Sequence, residues 1–164
     1  MSYVELQVMI DALAPPGRQN YEKAHFLASI SDGAIETLVD HFENVTSPHS
    51  AALIQQAVGE MRRGAGEGAA YAHRDANYNF TIFTAWLDPG KSEIHIQWAR
   101  NLWEAMKPFT TEGVYMNDIG REVEEGADLM RAAYWANYQR LVDLKNKCDP
   151  HNLFRHNQNI KPTV

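Results

Sequence analysis

The side chains best suited to recognise a small molecule are the carboxamides near the end of the chain, in the run Asn157-Gln158-Asn159. A carboxamide both donates and accepts hydrogen bonds, which suits the edge of a heteroaromatic cofactor that presents both kinds of group. The apolar pair Leu153-Phe154 comes just before this run, and we expect it to anchor the tail in the core. A solvated, frayed end is the alternative, because chain termini are often poorly ordered.

Two pairs of tyrosine and asparagine have a spacing that brings their side chains together. Tyr115 and Asn117 fall at a predicted short strand, where alternation places both on one face. Tyr134 and Asn137 are three residues apart, so both can point the same way on one helical turn. A tyrosine acts as a base only if its phenolate is stabilised, because its ordinary pKa is about 10. Tyrosines that simply pack against their neighbours are the alternative for both pairs.

His73 and Arg74 are adjacent and fall between two predicted strands. An imidazole and a guanidinium at such a place can bind an anionic group or support a substrate pocket. A structural ion pair between Arg74 and Asp75 explains the same residues equally well. The seven histidines show neither H-x-x-x-H nor H-E-x-x-H spacing, and the single cysteine, Cys148, has no C-x-x-C partner. The sequence therefore predicts no metal site.

Composition excludes several classes of function. The chain has 164 residues, 45% of them hydrophobic and 22% charged, which is ordinary for one globular domain. Its formal net charge of −6 argues against a nucleic-acid partner. No apolar run approaches the roughly twenty residues that a membrane span needs, and the N-terminus lacks the features of a signal peptide. We therefore expect a soluble, cytoplasmic protein.

The glycine cluster at 64–68 lacks the strand-then-helix context of a phosphate-binding loop, so we predict a turn there.

Apolar periodicity predicts an alternation of strands and helices. Residues 78–87 form the clearest strand, and because both of its faces carry bulky side chains we place it in the centre of a sheet. The other predicted strands are 21–30, 69–73, 114–116 and, where the pattern alone also allows a helix, 51–58. The predicted helices are a short or irregular one at 3–13, then 33–44, 94–106, 129–135 and a C-terminal helix that Asp149-Pro150 ends.

Consecutive strands between helices favour an antiparallel sheet with helices packed on one face, which is an α+β, ferredoxin-like architecture. The opposite face of the sheet would then be free to line a cavity. We expect one domain over residues 1–164.

The C-terminal segment from Tyr134 to Pro162 reads Y-x-x-N-Y-x-R-L-x-x-L-K-x-K-x-D-P-x-N-L-F-x-x-N-Q-N-I-x-P. This pattern resembles the C-terminal segment of the berberine-bridge-enzyme-like flavin oxidases, in the vanillyl-alcohol-oxidase superfamily. It departs from that family at Trp135, where glycine is usual, and at Cys148, where an aromatic residue is common. Residues 15–21, 72–78 and 113–117 also resemble landmarks of the substrate domain in bacterial members, so the resemblance covers most of the chain.

This resemblance implies the C-terminal, substrate-binding part of an FAD-dependent oxidoreductase, with a substrate domain at about 1–125 and a berberine-like segment at about 126–164. It favours a strand at 51–58. The FAD-binding part that such oxidases carry would be either another domain of the same protein or a separately encoded subunit, and the chain alone would be inactive. A substrate hydride passes to the flavin in this family while a base takes a proton. The implied roles are a base from Tyr134 or Tyr115, flavin-edge contacts from Asn117, Asn137, Asn157 and Asn159, and substrate contacts from His73 and Arg74.

A second hypothesis is a non-catalytic ferredoxin-like module that binds a small molecule and forms a homodimer through its open sheet face. An enzyme part should expose apolar surface that lacks its natural cover. A dimeric module should instead bury that surface in a dry interface between two copies.

Overall fold

A three-stranded antiparallel sheet organises the chain in the computed structural model, which describes residues 1–9, 11, 15–63, 69–111, 113–118, 126–156 and 158–164. The predicted turn at 64–68 lies outside these residues. The strands stand in the order β1-β3-β2 and are β1 (Gln19–Leu27), β2 (Ala51–Gln56) and β3 (Tyr78–Trp86). The α-helices are α1 (Tyr3–Val8), α2 (Asp32–Phe42), α3 (Ser92–Met106), α4 (Gly126–Tyr134) and α5 (Tyr138–Cys148).

Strand β3 lies at the centre of the sheet, and both of its faces are buried. Phe80 and Ile82 are fully buried on one face, while Asn79 and Thr81 are almost as buried on the other. β1 pairs with β3 along its whole length, and β2 pairs with the opposite edge of β3. The predictions of a central strand near 78–87 and of a strand at 51–58 are confirmed.

Helices α2 and α3 cover one face of the sheet. The Ser31 side chain caps α2 by accepting a hydrogen bond from the Ala34 amide, which satisfies a backbone donor that has no partner within the helix. In α3, Trp98, Leu102 and Met106 recur every four residues and so form one apolar stripe. This stripe packs on Phe80 and Ile82 in a single buried cluster. The predicted helices at 33–44 and 94–106 are confirmed, and Pro108 follows the end of α3.

The other face of the sheet is only partly open. Helix α4 and a one-turn 3-10 helix at Met116–Asp118 lie over β1, where Ala24 packs with Val114 and Ala133. Over β2 the same face carries Leu53, whose side chain is half exposed. The α+β class with an antiparallel sheet is therefore confirmed, and the expected open surface is limited to the β2 side.

Two predicted short strands do not form. Residues 69–73 are irregular because their contacts are made with side chains: Asn137 holds the carbonyls of Ala69 and Ala70, and His73 is buried against Phe26. Residues 114–116 follow Gly113, whose φ of 100° ends any extended run, and the Asp118 amide then donates to the Tyr115 carbonyl to close a turn. A few alternating residues were too little evidence for either strand.

The C-terminal region combines a confirmed helix with a wrong prediction. Helix α5 ends at Cys148, just before Asp149-Pro150, as expected. Leu153 and Phe154, which we expected in the core, are 74% and 81% exposed. Their backbone amides both donate to the Asp149 carboxylate, so the backbone faces inward and the side chains face outward.

Of the helices that the structure describes, none combines the length and apolar character that crossing a membrane requires.

Candidate functional site

A cleft of about 420 Å³ runs along β1, one of the two outer strands of the sheet. Successive residues of a strand point to opposite faces, so Glu22 lines the cleft from the α4 side and Lys23 from the α3 side. The indole nitrogen of Trp103 donates to the Ala24 carbonyl and so covers part of the free edge of β1. The volume falls within the range typical of pockets for small organic molecules.

A fixed carboxylate, Asp118, stands at the α4 side of this cleft. Its Oδ2 atom accepts hydrogen bonds from Asn79 Nδ2 at 2.7 Å and from Thr81 Oγ1 at 2.9 Å. Asn79 and Thr81 are alternate residues of β3 and therefore share one face of the sheet. Among the described residues, the buried Oδ1 atom of Asn79 has no hydrogen-bond partner. Two donors thus hold Asp118 in place beside an unused acceptor.

Glu22 is a second carboxyl group on the same side of the cleft. Burial raises the pKa of Glu22, and the negative charge of Asp118 raises this pKa further. Glu22 therefore keeps its proton more readily than an ordinary carboxyl group, whereas hydrogen-bond donors hold Asp118. Two neighbouring carboxyl groups in such different surroundings can support acid–base chemistry. Sequence analysis identified neither residue, because only the fold brings the 3-10 turn over β1. The only available signal was that Asp118 directly follows the pair of Tyr115 and Asn117.

The structure brings Tyr115 and Asn117 together as predicted, although in a turn. The Asn117 Nδ2 atom donates to the Tyr115 hydroxyl at 2.9 Å. The Tyr115 ring also meets the Tyr71 ring edge to face, with centroids 6.3 Å apart. Asp118 belongs to the same turn, and of these three residues it is the one that lines the cleft. The proposed catalytic and flavin-binding roles of Tyr115 and Asn117 stay predictions.

Tyr134 and Asn137 lie at the junction between α4 and α5. Burial raises the pKa of the half-buried Tyr134, which disfavours the phenolate that a base requires. The Asn137 Nδ2 atom donates to the carbonyls of Ala69 and Ala70, each at 3.2 Å. These two hydrogen bonds hold the distant loop at residues 69–70 against the junction. Burial therefore argues against a base at Tyr134, and the catalytic role of Tyr134 and the flavin contact of Asn137 stay predictions.

His73 and Arg74 are both engaged by the chain itself. The His73 Nε2–H group donates to the carbonyl of Ala132 at 2.7 Å and to that of Ala133 at 3.1 Å, near the end of α4. Its ring is 7% exposed and lies parallel to the exposed ring of Trp135. Arg74 stacks over the Tyr71 ring at 4.8 Å and donates to the Met61 carbonyl. These contacts support a positioning role, and direct contact with substrate stays a prediction for both.

The carboxamides of the tail are only partly within the described residues, since Asn157 lies outside them. The Asn159 Nδ2 atom donates to Asn152 Oδ1 at 3.1 Å, and Asn152 has a φ of 52°, in the left-handed region. Asn159 therefore stabilises the turn that follows α5. Through the described ranges, no group of three or more His, Cys, Asp or Glu side chains could hold a metal ion.

His25 lies on the α3 side of the cleft and is uncharged. Its Nε2–H group donates to the Trp103 carbonyl at 3.1 Å, and its ring stacks on the Trp103 indole with centroids 4.6 Å apart. Burial lowers the pKa of His25 to about 4, and the positive charges of Lys107 and Lys23 act in the same direction. On this side the cleft therefore presents a neutral imidazole stacked on an indole, with the ammonium groups of Lys23 and Lys107 over the Trp103 ring.

Acidification should destabilise the chain through His25. Its pKa is about 4 when folded and 6.5 ordinarily, so the unfolded chain binds the proton first as the pH falls. The stabilisation is complete above pH 6.5 and is lost between pH 6.5 and 4, by up to about 3 kcal/mol in the free energy of unfolding. Urea denaturation across this range, compared with His25→Gln, measures the loss. Equal pH slopes for the two proteins would contradict the prediction.

Comparison with known proteins gives a consistent picture for the C-terminal region. Residues 114–161 match the model of the family described as berberine and berberine like. This range contains the turn with Tyr115, Asn117 and Asp118, as well as α4, α5 and the exposed Leu153 and Phe154.

The curated relatives are much longer than this chain. Berberine bridge enzyme-like C-1 of Nicotiana tabacum is 30% identical over 178 residues, which cover 90% of this chain and 31% of the relative. The FAD-linked oxidoreductase YgaK of Bacillus subtilis is 31% identical over 134 residues, which cover 81% of this chain and 29% of the relative. The chain thus spans about a third of the length of the relatives it matches.

Solved structures share the fold. Berberine-bridge-enzyme-like protein 28 of Arabidopsis thaliana matches all of this chain and 40% of its own, with a TM-score of 0.82 and 19% identity. Aclacinomycin oxidoreductase matches 88% of this chain and 32% of its own, with a TM-score of 0.74 and 21% identity. In each case the matched region is a minor part of a larger protein.

Proposed function

We propose that this chain, which belongs to the berberine-bridge-enzyme-like family of FAD-linked oxidoreductases, supplies the substrate-binding part of such an enzyme. The observation that carries this proposal is Asp118, a carboxylate held by Asn79 and Thr81 beside Tyr115 and at the edge of a cleft of suitable size. The remaining two thirds of the enzyme, as a domain or a subunit, would bind the FAD.

The chemistry divides between the two parts. Bound FAD would supply the acceptor for a hydride from the substrate carbon. This chain binds the substrate in the cleft along β1, and Asp118 takes the proton that leaves the substrate oxygen or nitrogen. Tyr115 lies in the same turn and orients the reacting group. Tyr134 retains its proton, because burial raises its pKa. The substrate is therefore a small molecule with an O–H or N–H group at the carbon to be oxidised.

The described asparagines fit a flavin edge in one respect. Asn117, Asn137 and Asn159 each commit the amide nitrogen to this chain, so a flavin N–H group would be recognised by their carbonyl oxygens. Asn157 would add a fourth carboxamide. In this proposal the partner is the FAD-binding domain or subunit, and the location is the cytoplasm. A homodimer that binds a small molecule without redox chemistry is the competing function.

Titration of the purified chain with FAD, followed by flavin fluorescence, tests the proposal. We expect tight binding only when the FAD-binding polypeptide is also present. Tight FAD binding and turnover by the isolated chain would contradict the assignment of FAD binding to the other part of the enzyme. Absence of binding with and without that polypeptide, together with a stable dimer in analytical ultracentrifugation, would favour the non-catalytic module.

A further inference from the structure

The cleft along β1 carries ionisable groups of opposite kinds on its two sides. The carboxyl groups of Glu22 and Asp118 line the α4 side, whereas the ammonium groups of Lys23 and Lys107 line the α3 side. The lining also includes apolar side chains, such as that of Leu129. This arrangement is complementary to a small molecule with an apolar body, a hydrogen-bond donor at one end and a negative charge at the other.

Both ammonium groups are held beside a single indole. Lys23 Nζ lies 4.0 Å and Lys107 Nζ lies 4.2 Å from the centre of the Trp103 ring. The ring attracts a cation electrostatically, so this contact fixes each charge beside the cleft without consuming an N–H donor. Lys23 is only 9% exposed, so its charge is poorly screened by water and acts strongly at short range.

The electrostatic potential on the α3 side of the cleft is positive. Glu104 accepts a hydrogen bond from Lys107 at 2.8 Å, but both side chains of this pair are about half exposed and water weakens it. The charges of Lys107 and Lys23 each lower the pKa of His25 by more than Glu104 raises it. Because Glu104 offsets part of the positive charge, a carboxylate with one negative charge fits this side better than a phosphate dianion.

We propose that Lys23 and Lys107 bind a carboxylate group of the substrate, which is therefore an organic acid with an apolar body. The inference rests on the proposed function and deepens it by naming the substrate class. The carboxylate lies on the α3 side of β1, and the O–H or N–H group at the carbon to be oxidised lies on the other side, next to Asp118. Lys23 and Lys107 thus set specificity and orient the substrate without taking part in the chemistry.

Two probes that differ in charge test this carboxylate site. One is para-hydroxymethylbenzoate, which has a carboxylate, an aromatic body and an alcohol at the far end, and the other is its uncharged methyl ester. Calorimetry measures the binding of each probe to this chain, alone and in the complete flavoprotein. We expect the acid to bind about tenfold more tightly than the ester, because a hydrogen bond to a charged group typically contributes this much. The bound carboxylate should also raise the pKa of His25, followed by NMR, because its charge offsets the two ammonium groups.

Substitution of the lysines tests which groups hold the carboxylate. Lys107→Met removes a charge and keeps an unbranched apolar side chain that can cover Trp103. Lys147→Met makes the same change on the exposed side of α5 and is the matched control. We expect Lys107→Met to lose most of the preference for the acid and Lys147→Met to change it less than about twofold. Lys23→Met should act like Lys107→Met, and thermal unfolding shows whether each variant is folded.

The outcomes separate the carboxylate site from the proposed function. A preference for the acid that Lys107→Met abolishes and Lys147→Met retains supports the site. Equal affinity for the acid and the ester, or a preference that survives in both Lys107→Met and Lys23→Met, overturns the site and leaves the proposed function intact. Failure of both probes to bind has the same meaning. A wild-type complex that never retains FAD overturns the proposed function, and with it the assignment of the acid as a substrate.

Discussion

An alanine at position 113 is expected to lower the free energy of unfolding by about 3 kcal/mol or more. Gly113 has a φ of 100°, which L residues rarely adopt, and an added Cβ would lie 2.0 Å from His73 Cε1. The His73 ring cannot yield easily, because it is 7% exposed and packs on Phe26 with centroids 5.0 Å apart. The substitution therefore combines backbone strain with a steric clash.

The predicted consequence is local as well as global. Displacing the His73 ring breaks its hydrogen bonds to the carbonyls of Ala132 and Ala133, so α4 should loosen from the sheet. Urea denaturation measures the stability, and amide hydrogen exchange in α4 reports the loosening. The double variant Gly113→Ala/His73→Ala separates the two causes, because it removes the clash and keeps the backbone strain. A loss below about 0.5 kcal/mol for Gly113→Ala alone would contradict the assignment.

The fold was predictable where a local pattern was long. Strand β3 has nine residues, and the bulky side chains on both of its faces predicted its place at the centre of the sheet. Helix α3 has large apolar side chains at four-residue spacing, at Trp98, Leu102 and Met106, within fifteen residues. Such patterns are set by backbone geometry and need no knowledge of the partner surfaces.

Prediction failed where distant contacts decide the local structure. The stretch at 69–73 has strand-like residues, yet Asn137 and Phe26 capture its backbone and side chains. Leu153 and Phe154 have the composition of a core anchor, and only the network around Asp149 turns them outward. In both cases the deciding residue lies outside the short stretch on which the prediction was based.

Only part of the candidate site could be predicted from the sequence. Tyr115 and Asn117 are two residues apart, so their contact followed from spacing even though the local structure is a turn. Glu22 and Asp118 belong to distant segments, and Asn79 and Thr81 looked like ordinary strand residues. Their grouping depends on the 3-10 turn that lies over β1. A site assembled in this way is visible only in the structure.

Replacement of Asp118 by asparagine is expected to slow flavin reduction in the complete oxidoreductase by about 100-fold or more, since general base catalysis typically contributes this much. The asparagine carbonyl can still accept hydrogen bonds from Asn79 and Thr81, so the turn should keep its shape. A carboxamide cannot take up a proton at neutral pH, however. Substrate affinity should change little, because only the proton transfer is impaired.

Stopped-flow absorbance of the flavin measures this rate, with Asp143→Asn on the exposed face of α5 as the matched control. The isolated chain offers an independent readout. Because the Asp118 charge contributes to the raised pKa of Glu22, the pKa of Glu22 should fall in Asp118→Asn when it is followed by carbon NMR. A lower Glu22 pKa with an unchanged rate of reduction would place Asp118 beside the site without a part in the chemistry. The base would then be Tyr115, whose hydroxyl Asn117 already holds.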